Sequence, residues 1–207
     1  MELIKLTLGE LWTNCYILAI GNGEAIAFDI GGEAQKVLQT LEINHLTLRA
    51  ILLTHGHYDH IGGVEAVRKA TGAEVYIHEK DAVMLESSQA NLADELTNEA
   101  YQPVTEYQTV KDNAVLEIGD KKIQVMHTPG HTSGSVCYLM EDRMFSGDTL
   151  FKGNIGRTDL GGNVRDMRDS LRKLAALEQD YRVYPGHFGE STLNAEKQSN
   201  PYLRNSS

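Results

Sequence analysis

The chain predicts an α/β fold: two β-sheets packed face to face, with helices on the outer faces. A succession of strands, helix, strand and helix occurs once in each half of the 207 residues. Short apolar runs bounded by Gly, Pro and Asp recur with the patterning of strands. His and Asp residues stand where several of these runs stop, and α/β architectures gather their sites at strand ends. A single domain over residues 1–207 suits a chain of this length.

Leu3 to Leu8 alternates apolar and polar residues, a strand with one wet face. Cys15 to Ile20 is a second strand, and the Gly21-Asn22-Gly23 turn leads into a third, Ala25 to Ile30. Val37, Leu38 and Leu41 then share one face of a helix. Arg49 to Thr54 holds Ile51-Leu52-Leu53, the continuous apolar run of a buried strand. Ile61 to Ala70 predicts a helix with Val64 and Val67 inward, stopped by Gly72. Val75-Tyr76-Ile77 is a short strand, and Lys80 to Glu86 a helical turn or two. Ser87 to Lys111 is polar, acidic and weakly periodic, and reads as a functional loop or lid. In the second half, strands Ala114 to Ile118 and Lys122 to Thr128 flank Gly119-Asp120, and Val136 to Met140 and Met144 to Gly147 flank Glu141-Asp142. Val164 to Leu177 is an amphipathic helix, Arg182 to Tyr184 a last strand and Ser191 to Gln198 a last helix.

Composition narrows the function. A net charge of -10 argues against a phosphate-backbone partner, which clustered Lys and Arg would recognise. No apolar run approaches the roughly 20 residues that span a bilayer. The start, Met1 to Lys5, reads as a strand and not as an export signal, so a cytoplasmic protein is expected. Cys15 and Cys137 sit in apolar strands, far from any paired-cysteine zinc spacing, and are expected as small buried hydrophobes.

The chemistry concentrates in His55-Gly56-His57-Tyr58-Asp59-His60. Imidazole and carboxylate are lone-pair donors to divalent metals. On an extended backbone His55 and His57 point the same way, and Asp59 and His60 follow at the turn into a helix. One motif thus feeds two adjacent metal positions. His131, Asp148 and His187 each follow a strand, beside Gly or Pro-Gly pairs that allow tight turns. His45, His78 and His127 are expected to be solvated or structural.

These residues resemble the metallo-β-lactamase fold superfamily over nearly the whole chain. The likeness rests on Thr54 to Gly63, Thr128-Pro129-Gly130-His131-Thr132, Ser146-Gly147-Asp148, Pro185-Gly186-His187 and Asp29-Ile30-Gly31-Gly32. It implies an αββα sandwich of two mixed sheets. By the same resemblance His55, His57 and His131 would hold one divalent metal and Asp59, His60 and His187 a second. Asp148 would bridge them, and Asp29 would stand behind the ligands. Zinc is the expected ion, with iron or manganese as alternatives. Phe151 to Gly162 and Glu196 to Leu203 are similar to compact bacterial glyoxalase II-like (hydroxyacylglutathione hydrolase-like) enzymes. The helical domain that helps two-domain members bind glutathione is not expected in this chain.

The reaction implied is thioester hydrolysis by a hydroxide shared between two metals about 3.5–4 Å apart, with Asp59 and Asp148 as catalytic carboxylates. The substrate is a small molecule, and oligomeric state is not encoded. Arg157 is either an ion-pair partner of Asp159 or a grip for a substrate carboxylate. Lys152 is a further candidate for that grip. Tyr58 is a substrate contact and proton donor, or a packing residue. The rival readings are a mononuclear iron persulfide dioxygenase, a lactonase or β-lactam hydrolase, and a metal-binding protein without activity.

Overall fold

Tyr16, Leu18 and Ile20 belong to one apolar cluster, while Cys15 and Ile17, which alternate with them, belong to another. Alternation along a single strand therefore buries both faces of its sheet, and the reason lies in the layers on either side. In the computed structural model, which describes residues 1–204, the first sheet has the order β1 (Leu3–Leu8), β2 (Thr13–Gly21), β3 (Glu24–Phe28), β4 (Thr47–Leu52), β5 (Glu74–His78), β6 (Gln108–Val110). The first three strands pair antiparallel, and β3 to β6 pair parallel. Parallel neighbours need crossovers. Helices α1 (Ala34–Ile43), α2 (Tyr58–Ile61) and α3 (Val64–Thr71) lie within them, with a 3₁₀ turn at Ala82–Leu85 and α4 (Ala93–Leu96) farther on.

The second sheet comprises β7 (Val115–Ile118), β8 (Lys121–His127), β9 (Val136–Met140), β10 (Arg143–Gly147), β11 (Arg182–Pro185) and β12 (Ser191–Thr192), again neighbours in chain order. Its one parallel pair, β10 with β11, is joined through α5 (Val164–Ala175). Helices α6 (Leu193–Ser199) and α7 (Pro201–Arg204) follow. Between the sheets Phe28 stacks on Phe145 at 3.5 Å and 7°, amid Tyr16, Tyr138 and Tyr184. Val37, Val64 and Val67 of α1 and α3 cover the outside of the first sheet. Met167, Leu171 and Leu174 of α5 cover the outside of the second. The expected αββα sandwich of two mixed sheets is the fold observed.

Local details depart from expectation where long-range contacts decide. The helix expected over Ile61 to Ala70 is interrupted at Gly62-Gly63, giving α2 and α3. A Cβ on Gly63 would lie 2.7 Å from the Gly32 carbonyl oxygen, so only glycine lets the Gly31-Gly32 turn approach. The expected last helix begins two residues later, because Ser191–Thr192 pair with β11 and Thr192 caps α6. The segment 87–111 is tied down instead of hanging as a free flap. Val104 is fully buried, the Tyr101 hydroxyl donates to the Leu85 carbonyl at 2.8 Å, and β6 extends the sheet. Cys15 and Cys137 are buried in different outer layers, as expected, and burial pushes the Cys137 thiol up to about 11. No helix among the described residues is long and apolar enough to cross a membrane.

Candidate metal centre

The seven proposed donors stand just past the C-terminal ends of β4, β8, β10 and β11, so strands of both sheets aim them at one edge of the sandwich. They form three overlapping groups: His55, His57 and His131; His55, His60 and Asp148; Asp59, His60 and His187. The closest approaches are 2.9 Å between His57 Nδ1 and His131 Nε2, 3.3 Å between His187 Nε2 and Asp59 Oδ2, and 3.4 Å between His60 Nε2 and Asp148 Oδ1. Donors about 2.0–2.1 Å from a tetrahedral ion lie roughly 3.3 Å from one another, so the spacing fits.

Proton placement makes the fit stricter. His57 Nε2 faces the Leu160 carbonyl at 3.2 Å, and His131 Nδ1 faces the Arg157 carbonyl at 2.7 Å. A carbonyl only accepts, so each ring carries its proton outward. Two lone pairs then confront each other at 2.9 Å, which is repulsive unless a cation lies between them. His55 Nδ1 faces the Thr54 hydroxyl at 3.2 Å, and that hydroxyl is itself a donor to Asp29 Oδ2 at 2.7 Å, so it accepts from His55. Asp29 Oδ2 also accepts from His60 Nδ1 at 2.8 Å. The buried atoms without a hydrogen-bond partner include His55 Nε2, His60 Nε2 and Asp148 Oδ1, each among the grouped donors. This donor set fits divalent metal.

Braces from elsewhere hold the set in place. Asp29 binds both Thr54 and His60, as expected of a residue behind the ligands. Thr13 Oγ1 donates to Asp59 Oδ2 at 2.9 Å. Asp81 is fully buried and accepts from Gly56 N at 3.2 Å, Thr132 Oγ1 at 2.6 Å and Gly134 N at 2.6 Å. It thereby ties the His55–His57 loop to the His131 loop. Neither Thr13 nor Asp81 stands in a motif along the chain; the one local sign for Asp81 is an acid just past a short strand. Gly186 is required by close approach, since a Cβ there would sit 2.3 Å from Asp148 Oδ1.

The family model described as the metallo-beta-lactamase superfamily matches residues 8–187. The chain belongs to that superfamily. The hydroxyacylglutathione hydrolase GloC of Haemophilus influenzae is 33% identical over 100% of this chain and 99% of its own. The probable metallo-hydrolase YqgX of Bacillus subtilis is 35% identical over 98% of both chains. Among solved structures, the B3 metallo-beta-lactamase BLEG-1 aligns with a TM-score of 0.92 at 39% identity, over 98% of this chain and 99% of its own. TTHA1623 in a di-iron-bound form gives 0.86 at 34%, over 96% and 99%. ETHE1 from Myxococcus xanthus gives 0.78 at 29%, over 97% and 84%.

In this metallo-beta-lactamase superfamily member the donors open into a cleft of about 430 Å³ with Leu11, Leu92, Leu96, Phe151, Leu160 and Phe188 among its walls. The three candidate substrate contacts lie at different distances from it. The Tyr58 ring packs edge-on against Tyr101 at 6.0 Å and does not line the cleft. Lys152 is exposed and also lies outside the lining. Arg157 does line it, but its guanidinium makes a two-point pair with Asp159 at 2.6 and 2.7 Å. Its backbone carbonyl is what touches the donor set. Of the segment 87–111, Leu92 and Leu96 form part of the cleft wall. Away from it, His78 and His127 stack at 4.0 Å, and His45 occupies a left-handed turn.

The histidines titrate in opposite senses. Burial, then His131, lowers His57 to about 4 from its ordinary 6.5. Burial, then His60, lowers His55 well below that value. Burial also lowers His60, but Asp59, Asp148 and Asp29 outweigh it and hold the imidazole well above 6.5. Stability contributed by the lowered pair is present above 6.5 and lost as pH falls. Stability contributed by His60 is present below 6.5 and lost as pH rises through its folded value. The chelator-treated protein should therefore unfold at its highest temperature near pH 6.5. Metal loading should abolish the alkaline decline, because the ion replaces the His60 proton. Calorimetry between about pH 4.5 and about pH 8.5 checks this. A steady rise with pH in the chelated protein would contradict the role given to His60.

Proposed function

We propose that the chain is a binuclear metal-dependent hydrolase of thioesters. His55, His57 and His131 would hold one divalent ion, Asp59, His60 and His187 the second, and Asp148 would face both. Zinc is the proposed ion, although the same nitrogen and oxygen donors accept iron or manganese, and TTHA1623 is described with two irons.

The observation that carries the thioester is the lack of a proton donor. Among the described residues lining the cleft, the titratable ones are proposed ligands and Arg157, which Asp159 holds. Burial raises the Asp59 carboxyl, but His60 and His187 outweigh it and keep it below the usual carboxylate range. It accepts and orients, and it does not donate. An amine or alkoxide leaving group needs a proton as it departs, whereas a thiolate leaves near neutral pH without one. The likeness to the hydroxyacylglutathione hydrolase GloC supports the same class.

Bound ions would polarise the thioester carbonyl and lower the pKa of water beside it. The chain's own residues position the reaction. Asp29 fixes the His60 ring, the Arg157 and Leu160 carbonyls fix His131 and His57, and Thr13 holds Asp59. The leucines and phenylalanines of the cleft exclude bulk water and receive the acyl group. In balance, water gives one proton to solvent as its oxygen joins the acyl carbon, the C–S bond breaks with its electron pair leaving on sulfur, and the new carboxylic acid gives the second proton to solvent. Free, buried thiols fit a reducing cytoplasmic setting, and the charge of -10 fits a small-molecule substrate.

β-Lactam hydrolysis is the second reading, favoured by the likeness to BLEG-1. Protein purified without added metal should contain about two metal equivalents and hydrolyse S-lactoylglutathione without oxygen. Turnover of a chromogenic cephalosporin with no thioester cleavage would transfer the assignment to β-lactams. One iron per chain, no hydrolysis, and oxygen uptake with glutathione persulfide would make it a dioxygenase.

A further inference from the structure

A second groove, of about 710 Å³, lies between the loop at residues 154–159 and helices α5 and α7. Asn154, Ile155 and Arg157 line both this groove and the metal cleft, so these residues form the ridge along which the two adjoin. The groove is larger than the metal cleft and contains none of the proposed ligands. Its apolar lining comes from Val164, Met167, Leu171 and Tyr202, and Val164 is 64% exposed and Tyr202 48%.

Charge is distributed unevenly around it. Arg49, Arg68, Arg143, Arg172 and Arg182 are all held in ion pairs, and on the ridge Arg157 is held by Asp159. Arg168 lines the groove from α5 and has no ion-pair partner among the described residues. Arg165, one turn earlier on α5, likewise has none among them. A chain of net charge -10 thus places at this groove a guanidinium, that of Arg168, with no ion-pair partner among the described residues. The combination suits a ligand with an apolar stem and an anionic end.

We propose that this groove is the subsite for the leaving-group half of the substrate, an extended anionic thiol carrier whose stem lies over Val164, Met167 and Leu171 and whose anion meets Arg168. The inference rests on the thioester reading, which places the scissile carbonyl at the donors and the acyl group among the leucines and phenylalanines. The sulfur side then continues over the Asn154–Arg157 ridge. Carboxylates of a peptidyl thiol and phosphates of a nucleotide-bearing thiol share the required chemistry.

The test measures binding of S-methylglutathione and S-methyl-coenzyme A to the metal-loaded full chain by calorimetry. These thioethers cannot be hydrolysed, so binding is read apart from turnover. At least one should bind, and which one does names the source of the anion. Arg168→Glu should weaken that carrier about tenfold, the scale of a charge-assisted hydrogen bond. Val164→Asp, at an exposed position, should weaken the same carrier through its stem. In kinetics, Arg168→Glu should raise KM for the matching S-acyl carrier relative to a thioester with a short neutral thiol arm. Equal binding of both carriers by the wild type and both variants, or no binding of either by the wild type, overturns the subsite. Carrier binding that depends on Arg168, without hydrolysis of any thioester, leaves the subsite standing and removes the thioesterase reading.

Discussion

Alanine in place of Asp148 is expected to remove at least one metal equivalent and to lower hydrolysis roughly a thousandfold, several kcal/mol of lost electrostatic stabilisation at about 1.4 kcal/mol per tenfold. Asp148 Oδ1 lies 3.4 Å from His60 Nε2, and its Oδ2 lies 3.5 Å from both His131 Nε2 and His187 Nε2. Among the described residues it is the one carboxylate within 3.5 Å of donors of both proposed ions. Burial alone would raise its pKa, yet His60, His131 and His187 outweigh burial and keep it ionised. It is therefore ready to bind metal without first losing a proton. Elemental analysis of the variant, purified without added metal, checks the first half of the expectation. Full retention of two equivalents with normal turnover would end the bridging assignment.

Asp81→Ala should have the largest effect of any change that touches no metal donor. Its carboxylate collects the buried N–H groups of Gly56 and Gly134 and the Thr132 hydroxyl. Thr132 keeps Ser135 Oγ at 2.7 Å, but the two N–H groups would be stranded. At about 1–3 kcal/mol for each stranded group the loss is about 2–6 kcal/mol, which lowers Tm by roughly 10 °C in a chain of this size. Freed from each other, the His55–His57 and His131 loops should also bind metal about 10–100-fold more weakly. Asp81→Asn should recover only part of both losses, because its amide offers one acceptor oxygen where several donors converge. Thermal unfolding of the chelated protein and a metal titration test the two effects separately. An alanine variant that melts within about 2 °C of the parent would show that Asp81 does not brace the site.

Both expectations concern single carboxylates, yet only one was legible along the chain. Asp148 stands in Ser146-Gly147-Asp148, a strand end beside a glycine, and shares that setting with His131 and His187. Asp81 acts on a hydroxyl 51 residues away, and Thr13 on a carboxylate 46 residues away. No local periodicity announces such a partner.

The residue types and their order determined the sandwich and the donor set. Strand alternation at a period of two, as in Cys15 to Ile20, is enforced by burial on both faces, so it appears in the order of apolar residues. The seven proposed donors could be named along the chain because metal chemistry restricts side-chain type and strand-end turns favour Gly and Pro as neighbours. Only the tertiary structure decided which nitrogen of each ring faces inward, because that depends on carbonyls at Arg157 and Leu160 reached across the fold. It alone placed the Arg157 side chain on Asp159, turned Tyr58 toward Tyr101, anchored the segment 87–111, and opened the groove beside Arg168. Side-chain direction and cavity shape arise from contacts between distant segments, and those contacts exist only once the two sheets have met.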